Sequence, residues 1–571
     1  MVPHSANDQS PSTLDLKWLK SLIELKREEN LTIAESPRSS TLAAKLDALP
    51  VGDEFQYARA DAMATPLFNW PTRFDAEIAS CVVHGSIPHE IDGTFYRVIC
   101  DSIFSNRNGK DIWINGDGAI DAWRISNGVC DFKQKFVRTP RFILERAARK
   151  SLFGTYRNPF SGDERVFDMI QSPGNTHIHY WQGLLLATKE DSPPIAMDPD
   201  TLDTIGVYDF EGQLTSRTFT AHPKFDFATG EMMAYGIEAK GLNSNDLVYY
   251  RFNKEGMKVD ECWVKTPHVS WTHDMAATDN WVIFGMTPFE TDVEYMKKEA
   301  GTHFRFNRFL HNTFIVLPRR NPKPEDVRYF KSIKNHFWGH FSNYFEKDGC
   351  IYMDTFLNDG DGFGVFPNMH PELDAGKPKR PIQGKFVRFK IDPKSPSDYM
   401  ELPVVLSEVL GEMARSDDRY QTKPYNHAYA ATPGDMGFNG VLHVNHATGE
   451  SKVWRAGDGV TVGEPCFVPR NITAPEGDGY LVVCIRDAKT TLAYLAILDA
   501  LEITSGPIGI VELPFRLREG VHGSWVNASD RADRQPLVDY SGVTPEILEE
   551  YGTGAPKPYD KLPDTHVKIS L

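Results

Sequence analysis

The stretch His340-Phe341-Ser342-Asn343-Tyr344-Phe345-Glu346 sets one imidazole immediately ahead of an aromatic, strand-like run. Alone, such a histidine reads as a packed or solvated side chain. Three others stand in comparably punctuated segments: Thr220-Ala221-His222-Pro223-Lys224, Trp271-Thr272-His273-Asp274 and Gly520-Val521-His522-Gly523-Ser524-Trp525. Four imidazoles from four distant segments meet only at the centre of a closed, repetitive fold. Imidazole suits iron, copper, nickel or zinc, and a set without thiolate argues against a structural zinc knuckle. The pattern reads as a four-histidine metal centre.

Outward from these segments, short apolar or alternating runs recur between Gly, Asp, Asn and Pro punctuation. Examples are Gly93–Val98, Asp121–Ile125, Leu184–Ala187, Trp281–Phe284, Cys350–Met353, Phe386–Phe389, Gly440–Val444, Tyr480–Cys484 and Leu495–Leu498. Turn signals at Asn115–Gly118, Ser126–Gly128 and Ala447–Gly449 separate some of them. This is an all-β cadence, and its spread over most of the chain without a linker fits a propeller better than a sandwich. No strict blade motif repeats. One basic amphipathic segment, Phe142–Phe153, interrupts the pattern as an expected helix, either packed on the propeller or serving as a lid over a site. Residues 1–50 form an expected extension with an amphipathic helix over 14–28, and 51–571 a single propeller domain.

Composition narrows the partners. The 12% aromatic share, with 43 Gly and 38 Pro, agrees with many strands joined by tight turns. A net charge of −16 argues against nucleic-acid binding and attraction to anionic membranes. The seven cysteines are scattered without a C-x-x-C pair, which reads as reduced thiols in a cytoplasmic protein. No secretory signal opens the chain, and no apolar run approaches the roughly 20 residues of a membrane span.

Several segments in order carry a family resemblance: Ile87–Thr94, the Asn115–Gly118 turn, Met197–Thr204, Phe219–Lys224 and Gly463–Arg470. Over about Ile87 to Trp525 the chain resembles the carotenoid cleavage oxygenases, most closely their stilbene-cleaving branch. The resemblance implies a seven-bladed β-propeller with a helical or loop cap over the metal site. It implies Fe(II) on the axis, held by His222, His273, His340 and His522, with O2 as co-substrate. The other ring nitrogen of such ligands needs a hydrogen-bond partner to fix tautomer and aim. The family's glutamates for that purpose fall on Glu190, Glu412 and Glu464. Around Glu412 the sequence departs from the family, with Met413-Ala414 in place of Phe-Pro, and Glu401 and Glu408 stand nearby as substitutes. For His177, His179, His268, His336, His443 and His446 a satisfied polar contact is the expected role. Asn358–Gly362 lacks the downstream glutamate of a calcium loop and reads as a turn.

Substrate choice turns on Thr188-Lys189-Glu190. Carotenoid-cleaving relatives carry an aromatic residue before the glutamate; here Lys189 stands there, as in relatives that cleave phenolic stilbenes. Tyr156 matches that branch's other phenol-contacting position, while Ile114 replaces a ring-stacking phenylalanine. A lysine and a tyrosine in an apolar cleft can hold and deprotonate a 4-hydroxyl group, priming the conjugated double bond for O2. The expected function is therefore an iron(II) dioxygenase that cleaves the central Cα–Cβ double bond of 4-hydroxystilbenes such as resveratrol or piceatannol to two aromatic aldehydes. Two rivals stand beside it: carotenoid or apocarotenoid cleavage at the same iron, and a non-catalytic propeller scaffold. A calcium-dependent propeller hydrolase is weaker, since calcium prefers oxygen ligands.

Overall fold

The computed structural model describes residues 71–538 apart from 106, 108–110, 361–365, 375–383, 436 and 532. The expected extension over 1–50 and its helix lie outside these residues, as does part of the turn at Asn358–Gly362. All nine runs quoted above fall within strands, each extended by one or more residues: Gly93–Val98 becomes Gly93–Cys100, and Tyr480–Cys484 becomes Gly479–Asp487.

Among the described residues the strands form seven antiparallel sheets of four or more strands when the eight-stranded one is divided at Val404–Ser416. Besides these stands the two-stranded pair of Phe289–Thr291 with Phe304–Phe306. The first combines Gly93–Cys100, Gly118–Ser126, Val129–Phe136 and Ala76–Ile78 with the late strand Gly520–Asn527. The second spans His177–Val207, the third Lys224–Lys265 and the fourth Met275–Lys331. The fifth and sixth share one long strand, Val404–Ser416, whose register shifts between Glu412 and Arg415. The seventh joins Val82–Gly85 to the late strands Pro507–Leu513, Ala493–Asp499 and Gly479–Asp487.

Burial on both faces explains the continuous apolar runs. In a strand, alternate side chains face opposite sides. Leu185 and Ala187 accordingly join a core with Val98 and Ile120 of the first sheet, while Leu186 joins Met232 and Val248 of the third. Leu481 and Val483 pack with Tyr429 and Val441 of the sixth sheet, and Val482 with Phe95 and Trp123 of the first. Each sheet shares a core with the next, and the seventh shares one with the first.

The expected helix over Phe142–Phe153 is shorter. Helix α1 covers Pro140–Ala148, with Thr139 Oγ1 accepting from the Phe142 N–H at 3.1 Å and Arg149 in the left-handed region at φ 54°. The cause is Glu145, whose carboxylate takes the N–H groups of Leu152 and Phe153 at 2.8 and 3.0 Å. That draws both residues inward against Val166 and ends the helix. No described helix is long and apolar enough to cross a membrane. All seven cysteines are free thiols, six of them buried.

Candidate metal centre

His222, His273 and His340 each sit one or two residues ahead of a strand: Lys224–Asp226, Met275–Ala277 and Phe341–Lys347. His522 lies in Gly520–Asn527, the strand that pairs with the early Gly93–Cys100. Each histidine thus enters from a different sheet, and one nitrogen of each lies within 4.8 Å of the other three. The His273 Nε2 is 3.1 Å from the Nε2 of both His222 and His340. Metal–nitrogen bonds of roughly 2.1 Å place two ligands at right angles about 3 Å apart, so these spacings suit one shared ion. The His522 Nε2 is buried without a partner among the described residues, a cost an ion would remove. The donor set fits a transition metal.

Three of the rings are aimed from behind. The Nδ1 of His273 donates to Glu190, that of His340 to Glu412 at 2.8 Å, and that of His522 to Glu464 at 2.9 Å. Glu412 is therefore the partner in place; Glu408 instead pairs with Lys385 at 2.5 Å, and Glu401 is exposed. Glu412 reaches it from the register shift in Val404–Ser416, with Met413 in the left-handed region at φ 58° and Gly339 N donating to the carboxylate at 3.0 Å. Burial opposes ionisation of all three glutamates. His273 and Lys189 outweigh it at Glu190, and Arg415 and His522 at Glu464, holding both at about 2. Burial likewise drives His222 well below the usual histidine range and His522 to about 4, so their ring nitrogens keep lone pairs for a metal.

Lys189 and Tyr156 are both buried, at 2% and 1% exposure, with the Lys189 Nζ 5.1 Å from the Tyr156 ring centroid. Lys189 donates to Asn175 Oδ1 at 2.8 Å and to the Ile114 carbonyl at 3.2 Å. The Asn115–Gly118 turn anchors Tyr156 through helix α1. Arg141 donates to Asn115 Oδ1 at 3.1 Å, Asn115 donates to Asp111, and Asp111 accepts the Tyr156 N–H at 2.8 Å. Burial, with Glu190 nearby, pushes the Tyr156 hydroxyl well above its ordinary pKa, so it stays a neutral donor. A cleft beside His273, His340 and His522 is lined by Lys189, Tyr156 and Ile114 together with Trp113, Trp271 and Phe337. Those three aromatics were missed; they stand in runs whose sequence shows no difference from core packing.

Not every ring nitrogen of the remaining histidines has a partner, although His177, His179 and His443 each make a polar contact through the other. His179 Nε2 meets the Ala221 carbonyl at 3.0 Å, as expected. His177 Nε2 meets the Gly523 carbonyl at 3.4 Å, while its buried Nδ1 has no partner among the described residues and its ring lies 4.9 Å from that of His522. His268 and His443 also keep one buried, unpartnered ring nitrogen. The strand His177–Trp181 brings His177 to the same central space as the metal cluster, which spacing alone does not reveal.

Residues 67–527 match the family model described as retinal pigment epithelial membrane protein. Resveratrol cleavage oxygenase 1 of Aspergillus fumigatus is 39% identical over 481 residues, covering 81% of this chain and 95% of that protein. Carotenoid cleavage oxygenase 1 of Neurospora crassa is 40% identical over 484 residues, covering 81% and 90%. Among solved structures, the lignostilbene dioxygenase of Pseudomonas brassicacearum matches with a TM-score of 0.78 at 35% identity, over 84% of this chain and all of that one.

Proposed function

Since the chain belongs to the carotenoid cleavage oxygenase family and is a metal-dependent dioxygenase acting on carbon–carbon double bonds of stilbene-like or carotenoid-like substrates, we propose that its substrates are 4-hydroxystilbenes such as resveratrol or piceatannol. The products are two aromatic aldehydes. The observation that carries this reading is Lys189, 2% exposed in an aromatic-walled cleft beside Tyr156. A polyene hydrocarbon would leave the third donor of that amine without an acceptor, and an unmet buried donor is costly.

The chain's own residues do the following. His222, His273, His340 and His522 would hold Fe(II), with Glu190, Glu412 and Glu464 fixing three of the rings. Iron, when bound, supplies the redox chemistry that lets O2 react with an alkene. Lys189 has three donor positions, of which Asn175 and Ile114 take two, and the third would be left for a phenol oxygen. Tyr156 donates to the same oxygen. Together they would stabilise the phenolate once its proton has passed to solvent, and the charge would delocalise along the ring into the central double bond. Ile114 and the neighbouring aromatics pack the ring.

The seven sheets are read as the blades of a propeller, closed where Gly520–Asn527 pairs with Gly93–Cys100, with helix α1 as part of a cap. Residues 51–571 form the catalytic domain and 1–50 an extension, in a cytoplasmic enzyme. The test is iron stoichiometry measured alongside aldehyde formation from resveratrol and from a polyene of the carotenoid class. One iron per chain with aldehydes from resveratrol alone is expected. Products from the polyene alone would overturn the stilbene reading, and a chain without iron would favour the non-catalytic scaffold.

A further inference from the structure

A second cavity, of about 300 Å³, reaches the imidazoles besides the cleft, and the ligand-bearing segments divide the two. Residues that precede the imidazoles line the cleft: Trp271 before His273, Gly339 before His340 and Val521 before His522. Residues that follow them line the second cavity: Lys224 after His222, Asp274 after His273, Ser342 after His340 and Ser524 after His522. The two spaces therefore meet the cluster from opposite ends of these segments. His222 lines the second cavity and His273 the cleft, while His340 and His522 reach both. Carboxylates fix the other three ligand rings, but His222 has none behind it among the described residues, so it is the least fixed of the four. Beside it stands His177, which lines the same cavity with its ring 5.2 Å from that of His222 and 4.9 Å from that of His522. The His177 Nε2 meets the Gly523 carbonyl and Ser524 Oγ only at 3.4 Å, and contacts of that length hold a ring lightly. We propose that the metal ion enters and leaves the centre through this second cavity, with His177 as a transient fifth imidazole that passes it to His222 and His522. This goes beyond the substrate reading and rests on the four-histidine centre alone.

The chemistry of the two spaces separates them as routes. A divalent cation loses several kcal/mol when it is taken out of water without replacement ligands, so it travels where polar groups take over from its waters one at a time. The second cavity offers such groups, and its two cations are already paired. Lys224 Nζ lies 2.6 Å from Asp274, and Arg415 meets Glu464 at 3.2 Å and Asp418 at 3.1 Å. The cleft offers Trp113, Trp271 and Phe337, and an ion crossing it would pass the Lys189 amine, a like charge in poorly screened surroundings. His177 has the right donor for the handover, since imidazole binds first-row transition metals and its Nδ1 has no partner among the described residues. It is not a resident ligand: the nitrogens that lie within 4.8 Å of one another are those of His222, His273, His340 and His522. A small turn of the lightly held ring would bring it in and let it withdraw.

The experiment times metal exchange rather than turnover. Iron-loaded chains are mixed with excess ferrous chelator in the absence of oxygen to follow release, and stripped chains are mixed with Co(II) to follow uptake. Equilibrium Co(II) affinity and Tm are measured on each. Wild type is compared with three variants. His177→Phe keeps a ring and removes its nitrogens, Gln421→Trp adds bulk at a half-buried position of the second cavity, and Ile114→Trp adds bulk to the cleft. In the first two, release and uptake should both slow by roughly tenfold, the effect of about 1.4 kcal/mol on a barrier. Their affinity should stay at the wild-type value, because a group used only in passage alters both rates by the same factor. Ile114→Trp should exchange metal at the wild-type rate. Wild-type rates in His177→Phe or Gln421→Trp, or slowed exchange in Ile114→Trp, would overturn the proposal. So would a His177→Phe chain that loses affinity with its uptake rate unchanged, the mark of a merely structural histidine. Should His177→Phe fail to fold, Gln421→Trp against Ile114→Trp still decides between cavity and cleft. A wild-type chain that takes up no Co(II) would remove the metal centre itself, and the route with it.

Discussion

Lys189 is held by two oxygen acceptors in a place where a hydrocarbon substrate would leave its remaining donor idle. Lys189→Met keeps the length and apolar stem of the side chain but removes the charge and all three donors. Aldehyde formation from resveratrol should fall by ~10²-fold or more, in the range attributed to positioned acid–base groups. Iron content should stay at the wild-type level, since Lys189 touches no imidazole; unchanged turnover would remove the phenolate argument. Behind Tyr156 lies a second buried group with its own pH signature. Glu238 accepts from Arg157 at 2.5 Å and from His303 at 2.9 Å, and the His303 N–H donates to the Tyr156 carbonyl at 3.1 Å. Burial opposes its charge, but His303 and Arg157 hold its carboxyl at about 2, against an ordinary value of 4.5. A depressed acid stabilises the fold above its unfolded pKa and loses that contribution as pH falls through the folded one. Wild-type stability should therefore decline from about pH 4.5 toward 2, and Glu238→Gln should lack that share of the slope. At neutral pH the variant should be less stable by roughly 3–5 kcal/mol, because Arg157 is left buried without its counter-charge. Denaturant titrations across that pH range check both statements.

At the scale of the element, the register shift in Val404–Ser416 and the loop before Phe341–Lys347 are built against each other. A Cβ on Gly339 would lie 2.6 Å from Glu412 Oε1, and the Gly339 N–H is itself a donor to that carboxylate. Gly339→Ala should push Glu412 off the His340 Nδ1 and weaken iron binding by roughly 10–100-fold, the usual cost of losing a partner behind a metal ligand. Metal titration of the variant, with circular dichroism to verify the fold, is the measurement; wild-type affinity would mean that Glu412 does not steer His340. This element also marks what the sequence could and could not tell. The histidines were legible because each stands at the punctuation just before a strand, or within one that clasps the chain's beginning. Glu412 was doubtful because Met413-Ala414 breaks the family pattern, yet the backbone compensates by placing Met413 at positive φ. Helix α1 was overextended because Glu145 stops it through side-chain contacts to Leu152 and Phe153, which no helical periodicity encodes. The roles of Trp113, Trp271 and Phe337 were hidden because an aromatic that walls a cleft has the same spacing as one that fills a core.

Over the whole molecule, the four imidazoles tie together the first, third, fourth and fifth sheets at one point, while the apolar cores join each sheet only to its neighbours. An ion at that point binds the folded chain and finds no preformed site in the unfolded one, so its binding free energy adds directly to stability. At a metal concentration a hundred times the dissociation constant, that addition is about 2.7 kcal/mol. Removing the metal with a chelator should lower Tm by a few degrees, and returning Fe(II) or Co(II) should restore it with a dependence on metal concentration. The variants separate this effect from catalysis. Lys189→Met should show the full metal-dependent shift despite its lost activity, whereas Gly339→Ala should need more metal to reach it. The sheets bury their faces against one another without help from the centre, so the stripped protein should remain folded, with its far-ultraviolet circular dichroism intact. Calorimetry of the stripped and reloaded forms decides the matter: a Tm indifferent to metal would mean that the four histidines do not clamp an ion across the sheets.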